Sequence, residues 1–497
     1  MTTASARLRE GQAPDSTPEL GSLLDADALG QWAWVLAYTA LLSSISVLRY
    51  HLWIANGLDL GQYEQGLWLI WHKGLMAPST YTGLPIVTVN GSFVLTLLAP
   101  FYAIGGVGLL LVLQSFALGS GYFFVRRIAI ALGVELRTAH LLGVLYLLYP
   151  TVLGVNLFDF HPQVLGIPIL LALIWAVLRE RWVALGVLSV LALLVDVSAP
   201  LLLLGVGVVL LARKKMVAGI VLAFGGLAIG YLDLAVLLPA VGHGALPAWS
   251  DYYRALGRTP SAGLANLAMH PGLLFAWVGH LRPWEYLVWL VATPLSLAVV
   301  HRRFGFSLWW LPALLLMEAN LISSQAIRTS PFNEFSLLAV PFIFVGLSDV
   351  LTKRGVTIPK VRLSYALAIP LVLLLVFVWQ QRHTYWHEIP YNATALQGAA
   401  MVVPEGVPLV AQNFVIAHLA DRTQEWLPEV AASGTLARGT FVVLDPSVTT
   451  GTTPESDLQD LAIALSRAGQ SRVVYKQNGV EVFELLRPLL PSWVKAS

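Results

Sequence analysis

The chain of 497 residues contains no cysteine, which excludes disulfides, a thiolate nucleophile and any Cys-ligated metal. Charge is scarce too: 12% of residues are Asp, Glu, Lys or Arg, against roughly 25% in ordinary globular domains. The formal net charge of +2 points to no nucleic-acid partner, since the basic residues sit in short clusters between apolar runs and form no single basic face. A P-loop, an HExxH sequence and a GxGxxG turn between strand and helix are all missing, so no nucleotide, metal or redox cofactor is implied by motif.

What the chain has in abundance is apolar sequence. At 57% hydrophobic it reads as a polytopic α-helical membrane protein of the cell (plasma) membrane, whose partners are membrane lipids or lipid-like substrates. Residues 1–30, rich in Pro, Ser, Asp and Glu, read as a disordered cytoplasmic tail. The first span, about 31–48, is expected to be retained as a signal anchor because no cleavage-site pattern precedes it.

The basic clusters Arg126/Arg127 with Arg137, Arg179/Arg181, Arg213/Lys214/Lys215, Arg302/Arg303, and Lys353/Arg354 with Lys360/Arg362 set the expected orientation. Placing all of them inside gives an N-in/C-out chain with about 11 transmembrane helices, near 31–48, 107–125, 138–154, 164–178, 183–196, 199–212, 216–239, 284–300, 306–321, 335–350 and 362–380. The stretch 183–212 is flanked by basic clusters on both sides, so it is assigned two short helices meeting at Asp196-Val197-Ser198-Ala199-Pro200. The helical domain then covers 31–380.

In that topology the long polar connections 49–92, 155–163, 240–283 and 321–334 lie outside, together with the tail. Within 49–92, the segment from Asp59 to His72 reads as an amphipathic helix along the outer interface, and 92–104 as a further short helix. Residues 381–497 read as a small soluble α/β domain on the outer side. Its strands are expected at 406–412, 439–445, 471–476 and 480–484, its helix at 457–468, and a Gln477-Asn478-Gly479 turn joins the last two strands.

The candidate site residues are the ionisable groups on this face. Asp59 is either a helix N-cap or a functional carboxylate. Glu64 reads as a solvated or interfacial residue on the same segment. Asp159 and His161, in Asp159-Phe160-His161-Pro162, either face a common polar cavity or cap the helix that Pro162 starts. A lone His beside one Asp is too little to specify zinc, so no metal site is assigned. Asp196 either has a function at membrane depth or satisfies freed backbone amides at the break. Arg328 with Asn333 and Glu334 reads as an outer ion pair, and Arg49, Arg254 and Arg258 supply further positive charge. In the tail, Gln412, Asn413 and His418 are given turn and core roles.

Asp59-Leu60-Gly61 with Gln65, Leu98-Ala99-Pro100-Phe101-Tyr102, Tyr149-Pro150, the run Asn156 to Pro162, and Ala411-Gln412-Asn413 with His418-Leu419 together resemble the bacterial predicted membrane protein family called domain of unknown function 2079, over about 49–484. That family is similar in layout to the membrane glycosyltransferases of the C superfamily, which take sugar from a polyprenyl-phosphate carrier on the outer face. The resemblance implies a catalytic role for Asp59, as base toward an acceptor hydroxyl, and a polyprenyl-phosphate sugar as donor. It leaves a divalent metal unspecified.

The chain departs from the family's pattern at Val89-Asn90-Gly91-Ser92-Phe93, where a His-containing stretch is common, and at Asp196-Val197-Ser198, where Lys-Glu-Asp is. Three readings follow: a glycosyltransferase, a transporter or flippase of a lipid-linked or amphiphilic solute, and an inactive scaffold of the same fold. One helix break and a one-sided loop distribution favour the first over the second.

Overall fold

The computed structural model describes residues 28–245, 249, 252–300, 305–352, 371–381, 392–432, 434–446 and 454–490. The expectations for 1–27, 362–370 and 382–391 lie outside the described residues. Helices occupy the apolar segments: α1 (Ala28–His51), α2 (Gln62–Lys73), α3 (Leu95–Ala131), α4 (Leu136–Leu147), α5 (Pro150–Leu157), α6 (Gly166–Leu178), α7 (Trp182–Leu193), α8 (Ala199–Ala212), α9 (Met216–Leu232), α10 (Pro260–Met269), α11 (Leu281–Val300), α12 (Leu311–Leu321), α13 (Val340–Thr352) and α14 (Leu371–Gln381). Five stretches are long and apolar enough to cross a membrane, namely Gly30–His51, Leu95–Ala131, Leu136–Leu157, Met216–Val241 and Glu334–Thr352.

Three features shape the end of the bundle that carries the site. Gly106 has φ 54° and ψ −154°, so α3 is two helical pieces meeting at a break that an L side chain resists. The upper piece contains the short helix expected over 92–104. Pro150 starts α5 after Tyr149, dividing the third apolar segment in two. Between α7 and α8 the chain turns at Val195–Ser198, as the basic flanks required. Val94 N–H donates to Leu194 O at 2.7 Å and Val197 N–H to Asn90 O at 2.9 Å, so the loop before α3 covers backbone groups that the break frees.

The main core runs through α1, α3–α8 and α13, with residues such as Leu118, Tyr146, Ile174, Val206 and Phe342 wholly buried. A second core lies where the 57–61 turn, α2 and the upper part of α3 meet, around Leu60, Leu67, Leu95 and Leu110.

The tail adds α15 (Ala393–Val402), α16 (Glu455–Leu465) and a five-stranded sheet: β1 (Leu409–Ala411), β2 (Glu425–Trp426), β3 (Phe441–Leu444), β4 (Ser471–Gln477) and β5 (Val480–Leu485). The strand order is β2-β1-β3-β5-β4, with β1 parallel to both β2 and β3, and β5 antiparallel to both β3 and β4. Side chains alternate between faces with the period of two that a strand imposes. Leu409, Phe441, Val443 and Val482 point to the core shared with α15 and Trp53, whereas Val410, Val442, Leu444 and Phe483 point to the core under α16. The β4–β5 hairpin turns on Asn478 (φ 46°) and Gly479 (φ 88°), the positive-φ pair such a turn demands. Strand β2 and helix α15 were not anticipated. β2 is two residues long and α15 follows residues rich in Tyr, His and Trp, so neither left a periodic signal.

Candidate active site

After α1 the chain reverses through Trp53, held at φ 62°, and enters a wide helical turn, Gly57–Gly61. Asn56 is the residue that caps this turn, its side chain accepting from Leu58 N–H, so Asp59 is not an N-cap. A Cβ at Gly57 would fall 2.2 Å from Ile416 Cγ2 and 2.8 Å from Asn413 O, which ties the turn to the C-terminal domain at a spot only glycine can occupy. Asp59 keeps 29% of its side chain exposed, and its Oδ1 lies 3.4 Å from His161 Nε2.

His161 is held from every side. Its N–H donates to Gln114 Oε1 at 3.0 Å, while Gln114 Nε2 donates to Asp159 O at 3.1 Å. The rings of Tyr63 and Phe158 flank the imidazole. Nδ1 faces Asp159 O at 3.1 Å, and Nε2 faces both Asp59 and Glu334 Oε2, the latter at 3.6 Å. With oxygen acceptors at both nitrogens the ring is a double donor, hence an imidazolium. Burial works against that charge, but the Glu334 and Asp59 carboxylates outweigh it and push the His161 pKa up to about 9. Asp159 is buried beside it, its Oδ2 accepting from Asn56 N–H at 2.8 Å. Burial raises its pKa to about 7 although Arg49 pulls the other way.

The apex at Asp196 joins the same neighbourhood. Gln163, two residues beyond His161, donates to Asp196 Oδ2 at 2.8 Å, and Ser198 N–H to Oδ1 at 2.8 Å. Asn90, on the loop that covers the apex, donates to Tyr63 Oη at 3.2 Å. Asp59, Asp159, His161 and Asp196 therefore gather on one side of the bundle. Asp196 spends its oxygens on a side chain and on the turn's own backbone.

Arg328 departs from the ion-pair expectation. Glu334 faces His161, whereas Arg328 Nε donates to Asn320 Oδ1 at 3.1 Å. Its guanidinium lies over the rings of Tyr252 and Phe335 at 4.5 and 4.6 Å. It lines a cavity of about 320 Å³ whose other walls, Leu201, Leu227, Tyr231, Leu264 and Leu315 among them, are mostly apolar. Arg254 and Arg258 are exposed on the turn between Tyr253 and α10, and they do not line this cavity.

Glu64 overturns the interfacial expectation. It is 6% exposed, and Tyr102 on the upper piece of α3 donates to its Oε1 at 3.0 Å. The same hydroxyl meets Asp421 of the C-terminal domain. Burial, and then the Asp421 charge, hold the Glu64 carboxyl well above the usual carboxylate range. Among the described residues no three His, Asp or Glu side chains are placed to hold a metal ion together.

Gln114, Gln163 and Tyr63 belong to this constellation and went unremarked as site residues, and Glu334, expected to pair with Arg328, faces His161 instead. The available signal was the rarity of amides inside or beside apolar runs: Gln114 interrupts a strongly apolar helix and Gln163 directly follows Pro162. Chemically, the arrangement offers a partly exposed carboxylate braced by an imidazolium, and a fixed cation at the wall of an apolar cavity.

The family model of predicted membrane proteins called domain of unknown function 2079 (DUF2079) matches residues 49–482. No curated protein sequence matches the chain. Among solved structures, ArnT from Cupriavidus metallidurans bound to undecaprenyl phosphate is 14% identical, with a TM-score of 0.53 over 94% of this chain and 99% of that one. This chain shares its fold. The oligosaccharyltransferase of Archaeoglobus fulgidus is also 14% identical, with a TM-score of 0.40 over 83% of this chain and 70% of that one.

Proposed function

Starting from the membership of this chain in the DUF2079 family of predicted membrane proteins, we propose that it is an inverting membrane glycosyltransferase, moving a sugar from a polyprenyl-phosphate carrier to an acceptor hydroxyl on the outer face. The observation that carries this reading is the pairing of partly exposed Asp59, held by His161, which also faces Glu334, with an apolar cavity whose buried cation is Arg328. The structure with the same fold holds undecaprenyl phosphate, a ligand of the chemistry such a cavity suits.

In this reading the prenyl chain lies along the Leu201, Leu227 and Leu264 wall and the phosphate meets the Arg328 guanidinium. The aromatic rings around Arg328 hold its plane in place, so no reorganisation is needed as the leaving phosphate gathers charge. The acceptor oxygen attacks the anomeric carbon from the face opposite the phosphate. The bond from anomeric carbon to phosphate oxygen breaks with its electron pair going to phosphate, and the acceptor proton passes to Asp59. His161 keeps that carboxylate oriented, and Glu334 balances the second half of the imidazolium's charge.

The outer location is supported by the connectivity. Helices α6, α7 and α8 run between the site end and the loops carrying Arg179, Arg181 and Arg213 to Lys215, which join through the Lys215–Glu180 ion pair at 2.7 Å. The basic loops are the inner side by the positive-inside rule, and the site is then outside, together with the C-terminal domain.

Transfer from radiolabelled polyprenyl-phosphate sugar by purified, folded Asp59→Asn protein tests the assignment. A loss of about 10²- to 10⁴-fold is expected for removal of a general base, and retention of the wild-type rate would sink it.

A further inference from the structure

A second cavity lies apart from the carboxylate site, between the far end of α2 and the C-terminal domain. Its volume is about 880 Å³, and Trp68, His72, Glu405, His418, Asp421 and Arg422 line it with the backbone around 400–406. That volume falls within the roughly 300–1,000 Å³ of small-molecule sites. Its chemistry contrasts with the apolar cavity beside Arg328.

Trp68 and His72 stack with ring centroids 4.4 Å apart, and His72 Nδ1 donates to Trp68 O at 2.9 Å. This fixes one broad aromatic platform. Across from it, Arg422 is 4% exposed and is stapled by Nε to Leu419 O and by Nη1 to Val407 O, at 2.5 and 2.9 Å. The Glu425, Asp421 and Glu405 carboxylates lie close enough to act on its charge. Asp421 is exposed and anchored through one oxygen by Tyr102, leaving the other open. His418 is clamped between Tyr50 and Trp53, at 4.1 and 3.8 Å, and burial pushes its pKa down to about 3, so it lines the cavity as a neutral group. An aromatic face with the exposed Glu405 and Asp421 carboxylates and the Arg422 guanidinium at its edge suits a neutral polyhydroxylated ligand, whose hydroxyls donate to the acids. It suits neither an anion nor a lipid tail.

We propose that this cavity binds a saccharide of several sugar units against the Trp68 platform, with Asp421 and Arg422 reading its hydroxyls. Trp68 follows Asp59 by nine residues of helical chain, about 14 Å at 1.5 Å per residue. A saccharide seated there therefore reaches toward the carboxylate as an acceptor chain would. The acceptor role rests on the glycosyltransferase reading, but the binding does not.

Saturation-transfer NMR on the full chain in detergent, with maltotriose, cellotriose and mannotriose as probes, decides the matter. Saturation of ring protons is expected for at least one trisaccharide in wild type and in Asp59→Asn, whose carboxylate does not line the cavity. It is expected to drop at least tenfold in Trp68→Ala. Met401→Trp, at a rim position that is 75% exposed, blocks the cavity without disturbing the packing and is expected to abolish the signal. No saturation with any probe in wild type, or an unchanged signal in both variants, overturns the proposal. An overturned cavity alongside transfer that still depends on Asp59 leaves the glycosyltransferase reading intact, so the two failures are separable.

Discussion

His161 presents both ring nitrogens to oxygen, and its charge therefore controls how Asp59 is held. The folded pKa of about 9 exceeds the ordinary 6.5, so the stabilisation from these contacts is fully present below pH 6.5 and is lost as pH rises to about 9. Asp159 slopes the same way at lower pH. Its pKa rises from 3.8 to about 7, so its ionisation taxes the fold across that interval and no further above it. Between pH 7 and 9 the decline of this pair thus belongs to His161. Thermal unfolding of the purified protein should show a midpoint falling by a few degrees across that window, and Glu334→Gln, which removes one of the two counter-charges, should flatten the fall. Parallel curves for wild type and variant would disprove the ion-pair account. At this scale the acids and the His stood out in an apolar chain, so Asp59, Asp159, His161 and Asp196 could be picked out. Their partners could not. Which carboxylate meets His161 depends on a contact between residues 161 and 334, and no local pattern encodes it.

Among the elements, α8 and α9 pack with their backbones nearly touching. A Cβ at Gly207 would fall 2.5 Å from the Ala223 amide nitrogen, and one at Gly226 would fall 2.9 Å from Pro200 O. Small residues are what allow such an approach where lipid supplies no hydrophobic drive between helices. Gly207→Leu should therefore destabilise by about 1–3 kcal/mol or more through overpacking. Gly225→Ala, where a Cβ meets nothing within 4 Å, should be neutral or gain up to about 1 kcal/mol from helix propensity. Thermal melting of the two variants side by side checks this, and equal effects would contradict the close-packing argument. Apolar runs and basic flanks made most helices legible to within a few residues, including the break at Val195–Ser198. The break at Gly106 and the wide turn at Gly57–Gly61 were not legible, because a glycine in an apolar run has no fixed conformation until neighbours press on it.

At the scale of the whole molecule, the C-terminal domain is latched to the segment between α1 and α3 by an amide hub. Gln65 Oε1 accepts from Ser79 Oγ at 2.8 Å and from Thr80 N–H at 3.1 Å, while its Nε2 donates to Thr80 Oγ1 at 2.8 Å and to Arg422 O at 3.4 Å. Thr80 Oγ1 in turn receives the Glu425 N–H at 3.3 Å. Gln65→Ala should cost about 1–3 kcal/mol in stranded polar groups and loosen the domain, visible as faster amide hydrogen exchange over 409–426. Unchanged exchange there would show that the latch lies elsewhere. The tail's strands and helix were readable from alternation and turn residues. Its seat on the bundle was not, since the matching surfaces are more than three hundred residues apart in sequence.

That separation sets a timetable for the newborn chain. The turn bearing Asp59 donates its Leu58 N–H to Asn413 Oδ1, a residue 355 positions later. At roughly 5–20 residues per second of synthesis, the ribosome needs roughly 20 to 70 seconds to supply that cover after the turn itself has emerged. For that interval the carboxylate stands in an unfinished wall. The wall around Asp59 is thus closed only after residue 413 has been made, whatever the order in which the helices form.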